Sequence, residues 1–468
     1  VEIVPPDDAG ARAAEAAWAL VAEGSLDAAR IASLFDTAGL ATESAPWHAE
    51  AARRAHAEGR HAEVVAHIGG VIDGALEPEE HASLHLLAVG VLEARGDLAG
   101  SLDAAQRAFA RAPARSEPWF RGAAAMIVNA WRLGRHDALQ GAAAALDAAL
   151  RAEAGDARVF GLSSAVLPLL RAGQVALAGM VLARMESVPA EERPRDGEAR
   201  LHAARALRAG FEGDPWRFRE DSEAAARGYR RLDEARLAMI HETNAAFGAT
   251  QLGQGEHASA LLRAVRDEAT GLGLLRAVAV ATHNLGPARL LCGDVEGALA
   301  AERDAVVMAD VLGDPALGAM SRAYLARITL WAGDPRESLR LADEALTGMG
   351  ANPGGRVFVW ATRARARLTQ DDPVGAAEDL RRADETLALL GAVEEGESEL
   401  RLARAELASA RGEPKADARW DEARAWLGTR AARLPEALRE GFLAHVPEHA
   451  AIARGPHRPW RDTLRALP

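Results

Sequence analysis

A short polar turn punctuates the chain at nearly even intervals, with apolar residues at helical spacing on either side of it. The turn opens at residues 24, 59, 96, 134, 173, 213, 253, 293, 333, 371 and 412, giving intervals of 35, 37, 38, 39, 40, 40, 40, 40, 38 and 41. All but Asp371 of these openings are glycine, which can take the left-handed conformation that ends a helix. Seven residues earlier, eight of eleven positions are Ala or Gly, among them Ala206, Ala246, Gly286, Ala326 and Ala364. Five residues later, seven of eleven are Ala or Ser. Small residues at fixed distances on both sides of a turn let two antiparallel helices approach closely. The pattern therefore predicts an all-α chain of about ten to eleven helix pairs. One pair cannot bury its apolar face alone, so the pairs must stack. The array is expected over 1–430, with a flexible joint at the acidic, proline-containing stretch 187–198 and a capping helix and tail over 431–468.

Composition narrows the functional classes. The net charge of −13 lacks the dense basic face of a general nucleic-acid binder. Lys415 is the only lysine and is followed by Ala416, which excludes a Walker A loop and a protein-kinase strand lysine. One cysteine permits no internal disulfide and fits a cytoplasmic protein, and no apolar run is long enough to span a membrane. No secretory pattern opens the chain, and it begins on Val1 rather than Met, so it reads as a piece of a longer protein with other domains expected before it.

In the stretch HNLGPARLLCGDVEGALAAERDA, residues 283–305, His283 and Cys292 invite a catalytic reading. They lie on one helix about 13 Å apart, too far for a base and its nucleophile. Cys292 is expected to fill the turn. Pro287 should kink the helix and leave the His283 carbonyl free. His81 and His85 share a helix face but fix no third metal ligand. His56, His61 and His67 lie across a turn and would meet only in a particular fold. Glu394, Glu395, Glu397 and Glu399 read as helix capping. Arg356, Trp360, Arg363 and Arg367 form a stripe that could stack or bind phosphate, with Trp360 expected to pack against a neighbouring helix. No catalytic residue, metal or cofactor is expected.

With Asn284-Leu285-Gly286 before the turn, Trp360 in the same register, and Ala298 and Ala305 after it, the repeat resembles the tetratricopeptide (TPR) family. Its extra length is similar to that of the sensor regions of bacterial signal-transduction ATPases of the maltose-regulator type. Three stretches, LRAGFEGDPWRFREDSEAAARGYRRL (207–232), GAVEEGESELRLARAELASARGE (391–413) and FLAHVPEHAAIA (442–453), resemble the C-terminal repeat regions of large bacterial signalling proteins. Those proteins carry a serine/threonine kinase or adenylate cyclase with an ATPase module. The resemblance implies a right-handed α-solenoid with a concave groove. It implies polar groove positions at Thr243, His283, Arg327, Arg365 and Glu406, and apolar ones at Phe247, Leu368 and Leu402. The function so implied is a non-enzymatic protein-interaction or ligand-sensing module. Its partner would be a protein, a peptide or a small anionic effector, and not nucleic acid or membrane. The alternative is a scaffold that self-associates, as a homodimer, and holds neighbouring kinase, cyclase or ATPase domains.

Overall fold

The computed structural model describes residues 6–72, 74–152, 156–350 and 352–456. All eleven predicted turns have positive φ, from 58° at Asp371 to 94° at Gly333, and each separates two helices. The residue seven positions before each turn is buried in every case, including Val89, Ile127 and Val166 where the small-residue rule lapses. Six turns carry an aspartate whose carboxylate accepts the backbone N–H three residues on: Asp27, Asp97, Asp214, Asp294, Asp334 and Asp372. Such a cap contributes about 1 kcal/mol to the helix it opens.

Among the described residues the result is eleven consecutive pairs and two short terminal helices. In chain order they are α1 Pro6–Ala22, α2 Ala28–Thr37, α3 Ala41–Ala57, α4 His61–Gly69, α5 Pro78–Ala94, α6 Leu98–Arg111, α7 Glu117–Arg132 and α8 His136–Ala152. Next come α9 Val166–Arg171, α10 Val175–Ser187, α11 Gly197–Phe211, α12 Pro215–Arg231, α13 Ala235–Gln251, α14 Gly255–Gly271, α15 Leu275–Leu291 and α16 Val295–Leu312. The last are α17 Pro315–Trp331, α18 Pro335–Gly348, α19 Pro353–Leu368, α20 Pro373–Leu390, α21 Glu397–Ala410, α22 Ala416–Ala432, α23 Glu436–Ala444 and α24 Pro447–Arg454. A 3-10 segment, Ala157–Ala165, leads into α9. The expected tail beyond 456 lies outside the described residues.

Contacts divide the chain into two units, Val1–Asn129 and Ala130–Pro468. In the first, His67 meets a histidine the sequence had not singled out. His48 places Nδ1 3.0 Å from Nδ1 of His67 and Nε2 2.8 Å from Asp36. His81 and His85 are buried and stacked at 5.0 Å, and burial pushes the His85 imidazole down to about 4. No group of three metal-ligating side chains gathers among the described residues.

In the second unit the first helices of successive pairs, α13, α15, α17, α19 and α21, also pack on one another. The second helices form no comparable layer, so the stack curves with the first helices inside. Residues 187–198 join α10 to α11 within this unit, with Val188 buried and Arg193 Nε donating to its carbonyl at 3.0 Å. At Pro287, α15 continues as one α-helix on both sides of the ring. Gly286 is required where α15 crosses α16, because a Cβ there would stand 2.5 Å from the buried Glu302 carboxylate. No helix among the described residues is long and apolar enough to cross a membrane.

Candidate functional site

The inner layer of the second unit is not bare. The loop between α20 and α21, together with α22, α23 and α24, lies over it and leaves a half-open cavity of about 130 Å³. On one side the wall is Phe247, Thr250 and Gln251 of α13, Pro287 and Leu290 of α15, Tyr324 and Arg327 of α17, and Phe358 of α19. On the other it is Val393 to Glu399, Trp426 and Arg430 of α22, Phe442 of α23, and Val446, Glu448 and His449 around the start of α24.

Two buried polar clusters back this cavity. In the first, His283 Nδ1 lies 2.9 Å from Glu302 Oε2 and 3.3 Å from Ser321 Oγ. Burial alone would lower the imidazole, but the Glu302 carboxylate overrides it and holds His283 above its ordinary value. Burial pushes Glu302 up to about 7 against the pull of His283. Tyr324, edge-on to His283 at 5.2 Å, donates its hydroxyl to Glu395 Oε2 at 2.5 Å. Burial, then the Glu395 charge, raises that phenol well above its usual range. Beside it Glu394 accepts from Arg171 Nε at 2.8 Å.

The second cluster ties α24 to the inner layer. Arg327 Nε donates to Glu448 Oε1 at 2.7 Å, and Trp331 Nε1 lies 3.3 Å from the same oxygen. Arg365 donates to Glu399 Oε1 at 2.6 Å and to Glu406 at 2.9 and 3.2 Å, with its guanidinium 4.7 Å from the Trp331 ring centre. Burial pushes the Glu399 carboxyl up; Arg365 opposes this and the Glu448 charge adds to it. Burial also works against ionised Glu448, but Arg327 overcomes it and holds that carboxyl low. Folded Glu399 thus keeps a proton that the unfolded chain releases above the ordinary glutamate range. Its effect is to lower stability as pH rises through that window. Glu448 has the opposite sign: its stabilisation is present above the ordinary range and is lost on acidification. Glu399→Gln is expected to flatten the fall in thermal midpoint between about pH 5 and about pH 8, measured by circular dichroism against the parent chain.

The predicted groove residues fall in different places. Phe247 and Arg327 are in the cavity wall. Thr243 is buried and donates to the Met239 carbonyl at 2.9 Å. His283 and Arg365 are buried behind the wall in the two clusters, Glu406 pairs with Arg365, and Leu368 packs half-buried in the core. Leu402 is fully buried against Trp420 and its neighbours. The glutamates read as capping have another use. Gly396 occupies the N-cap of α21 without a side-chain cap bond, while Glu394, Glu397 and Glu399 pair with arginines from other helices. The arginine stripe is spent within the fold, Arg363 and Arg367 both meeting the buried Asp379. Cys292 caps α15, and burial raises its thiol. The residues sequence reasoning missed are Arg171, Glu302, Tyr324, Trp331, Arg430 and Glu448. Glu448 lay within FLAHVPEHAAIA, but nothing local marks it as a partner for a helix 121 positions away.

No family model matches the chain, and no curated protein matches it. Solved structures do. A Rap protein complexed with competence and sporulation factor superposes with a TM-score of 0.49 at 12% identity, covering 75% of this chain and 98% of that one. NprR in complex with its cognate peptide NprX gives 0.48 at 11% identity, covering 71% and 96%. The apo form of the quorum sensor NprR from B. thuringiensis gives 0.38 at 11% identity, covering 74% and 96%.

Proposed function

We propose that the second unit is a non-enzymatic binding module, and that its site is the cavity between the inner helix layer and the C-terminal helices. The observation that carries this is the composition of the wall. Four successive first helices contribute to one side, and segments up to 200 residues further along contribute to the other. A recess built from so many separate elements senses any change in their packing, which suits a reporter of occupancy. Its titratable groups are held in pairs by neighbours, and Cys292, the only thiol, is not in the wall. The hydroxyl–carboxylate pair in the wall, Tyr324 with Glu395, is no activated nucleophile, because burial holds the phenol well above its usual range, which favours binding over catalysis.

The reading as a module of a multidomain signalling protein gains support from position. The stretches 207–232, 391–413 and 442–453, which carry the resemblance to bacterial signalling proteins, all supply residues to this wall. A random peptide library displayed on phage and selected on the purified chain tests the proposal. Selected peptides are expected to slow hydrogen exchange in α13, α17 and α23, and to lose binding at least tenfold to Ser398→Trp, which narrows the mouth. Protection confined to other helices, with Ser398→Trp binding normally, would remove this site from consideration.

A further inference from the structure

Resting on that reading, we infer that the cavity takes a positively charged side chain, the guanidinium or ammonium of an arginine or lysine in a bound peptide. The wall holds five glutamates, 394, 395, 397, 399 and 448, and two arginines, Arg327 and Arg430. Four of the five are matched by cations. Glu394 meets Arg171, Glu397 meets Arg401 and Arg430 at 2.7 Å each, Glu399 meets Arg365, and Glu448 meets Arg327. Glu395 is the exception among the described residues. The hydrogen bond the structure gives it comes from the neutral Tyr324 hydroxyl, at 2.5 Å. Its neighbour Glu394 adds a like charge, and burial with that charge pushes the Glu395 carboxyl up against the pull of Tyr324 and of Arg171 and His283, neither of which forms an ion pair with it.

Glu399, only 1% exposed, shares a hydrogen bond with Glu448 besides its bond to Arg365, so Glu395 is the wall glutamate without an ion-pair partner. The wall is therefore rich in acceptors and poor in free donors. Both wall arginines are already engaged, so an anionic group would enter among glutamates with no cation released to meet it. A guanidinium or ammonium would instead supply the missing donors. The remaining surface suits it: Phe247, Tyr324, Phe358 and Phe442 offer aromatic carbon, against which a cation or its methylene stem packs favourably. A space of about 130 Å³ accommodates one head group, and the open side leaves the peptide backbone outside. Of the partners the sequence left open, this favours a peptide over a small anionic effector.

The experiment uses the full chain and the library-selected peptides. Most selected sequences are expected to share an Arg or Lys. Replacing that residue by citrulline, which keeps the shape of arginine without its charge, should weaken binding at least tenfold by calorimetry. Glu395→Gln should do the same to the parent peptide while leaving the citrulline peptide unchanged. Equal binding of the arginine and citrulline forms, or selected peptides without a basic residue that still respond to Ser398→Trp, would overturn the charge assignment and leave the binding site standing. Peptides indifferent to Ser398→Trp would instead overturn the site itself. Should Glu395→Gln fail to fold, the citrulline comparison decides alone.

Discussion

Arg365→Ala is expected to cost the second unit about 3–5 kcal/mol, the range for removing one partner of a buried ion pair. Arg365 is 3% exposed and satisfies two carboxylates from α21, one of them Glu399 in full burial. Without it Glu399 faces Glu448 with only Arg327 between them. The guanidinium also lies against Trp331, so its loss opens space beside the largest fully buried side chain. Urea unfolding followed by tryptophan fluorescence measures the loss. Arg365→Lys should recover little, because one ammonium cannot reach both carboxylates and stack on the indole. Adding Glu399→Gln to Arg365→Ala should restore little, since folded Glu399 keeps its proton and no charge is stranded there. A loss under about 1 kcal/mol in the single variant, the level of a surface pair, would show that the cluster does not hold α21 in place.

Gly253→Ala is the second large expectation, and it should act on the C-terminal helices. Gly253 has φ of 78°, which costs an L-residue about 1–2 kcal/mol. A Cβ there would also run into the carbonyl of Gly441 in α23. Backing α23 away breaks the bond from His445 Nδ1 to the Gly253 carbonyl, 3.1 Å long, and adds about 1–3 kcal/mol of overpacking strain. Gly333→Ala is the matched control. Its φ is 94°, but nothing lies within 4 Å of the added carbon, so only the backbone cost applies. Hydrogen exchange should rise in α23 and α24 for Gly253→Ala and stay near the parent for Gly333→Ala. Equal exchange in the two variants would argue that α23 does not rest on the turn.

The repeat was legible because its signals are local. A turn that needs positive φ selects glycine, and a close helix crossing selects alanine, so both requirements appear at fixed offsets in the sequence. Asp371, the one turn opening without glycine, still adopts φ of 58°. The cavity was legible only in part. Offsets within a repeat bring Phe247 and Arg327 to the inner face, and both reach the wall. The same offsets give Arg365 and Leu402, which are covered. Counting within one repeat treats the inner face as open to solvent. It cannot register that α21 packs on α19, or that α24 returns to α17 through Glu448. Arginine adds to the difficulty, since its composition signal is that of a surface residue while Arg327 and Arg365 sit inside. The acidic run 394–399 was legible in part: Glu397 and Glu399 do lie in the first turn of α21, but Glu394 and Glu397 also answer arginines 223 and 33 positions away, which no local pattern shows.

The return of α24 to α17 changes when this protein can finish folding. Stacked repeats ordinarily settle neighbour by neighbour, and each can form as it leaves the ribosome. Here the bonds Arg327–Glu448, Gly253–His445 and Arg171–Glu394 join positions 121, 192 and 223 apart. Closing such loops is slow compared with pairing adjacent helices. A nascent chain released only to the end of α20 would hold its inner layer uncovered, with Arg327 and Trp331 still awaiting Glu448. Completion of the recess therefore waits until Pro447–Arg454 has emerged, and a chain stopped before Pro447 would present that layer to chaperones instead.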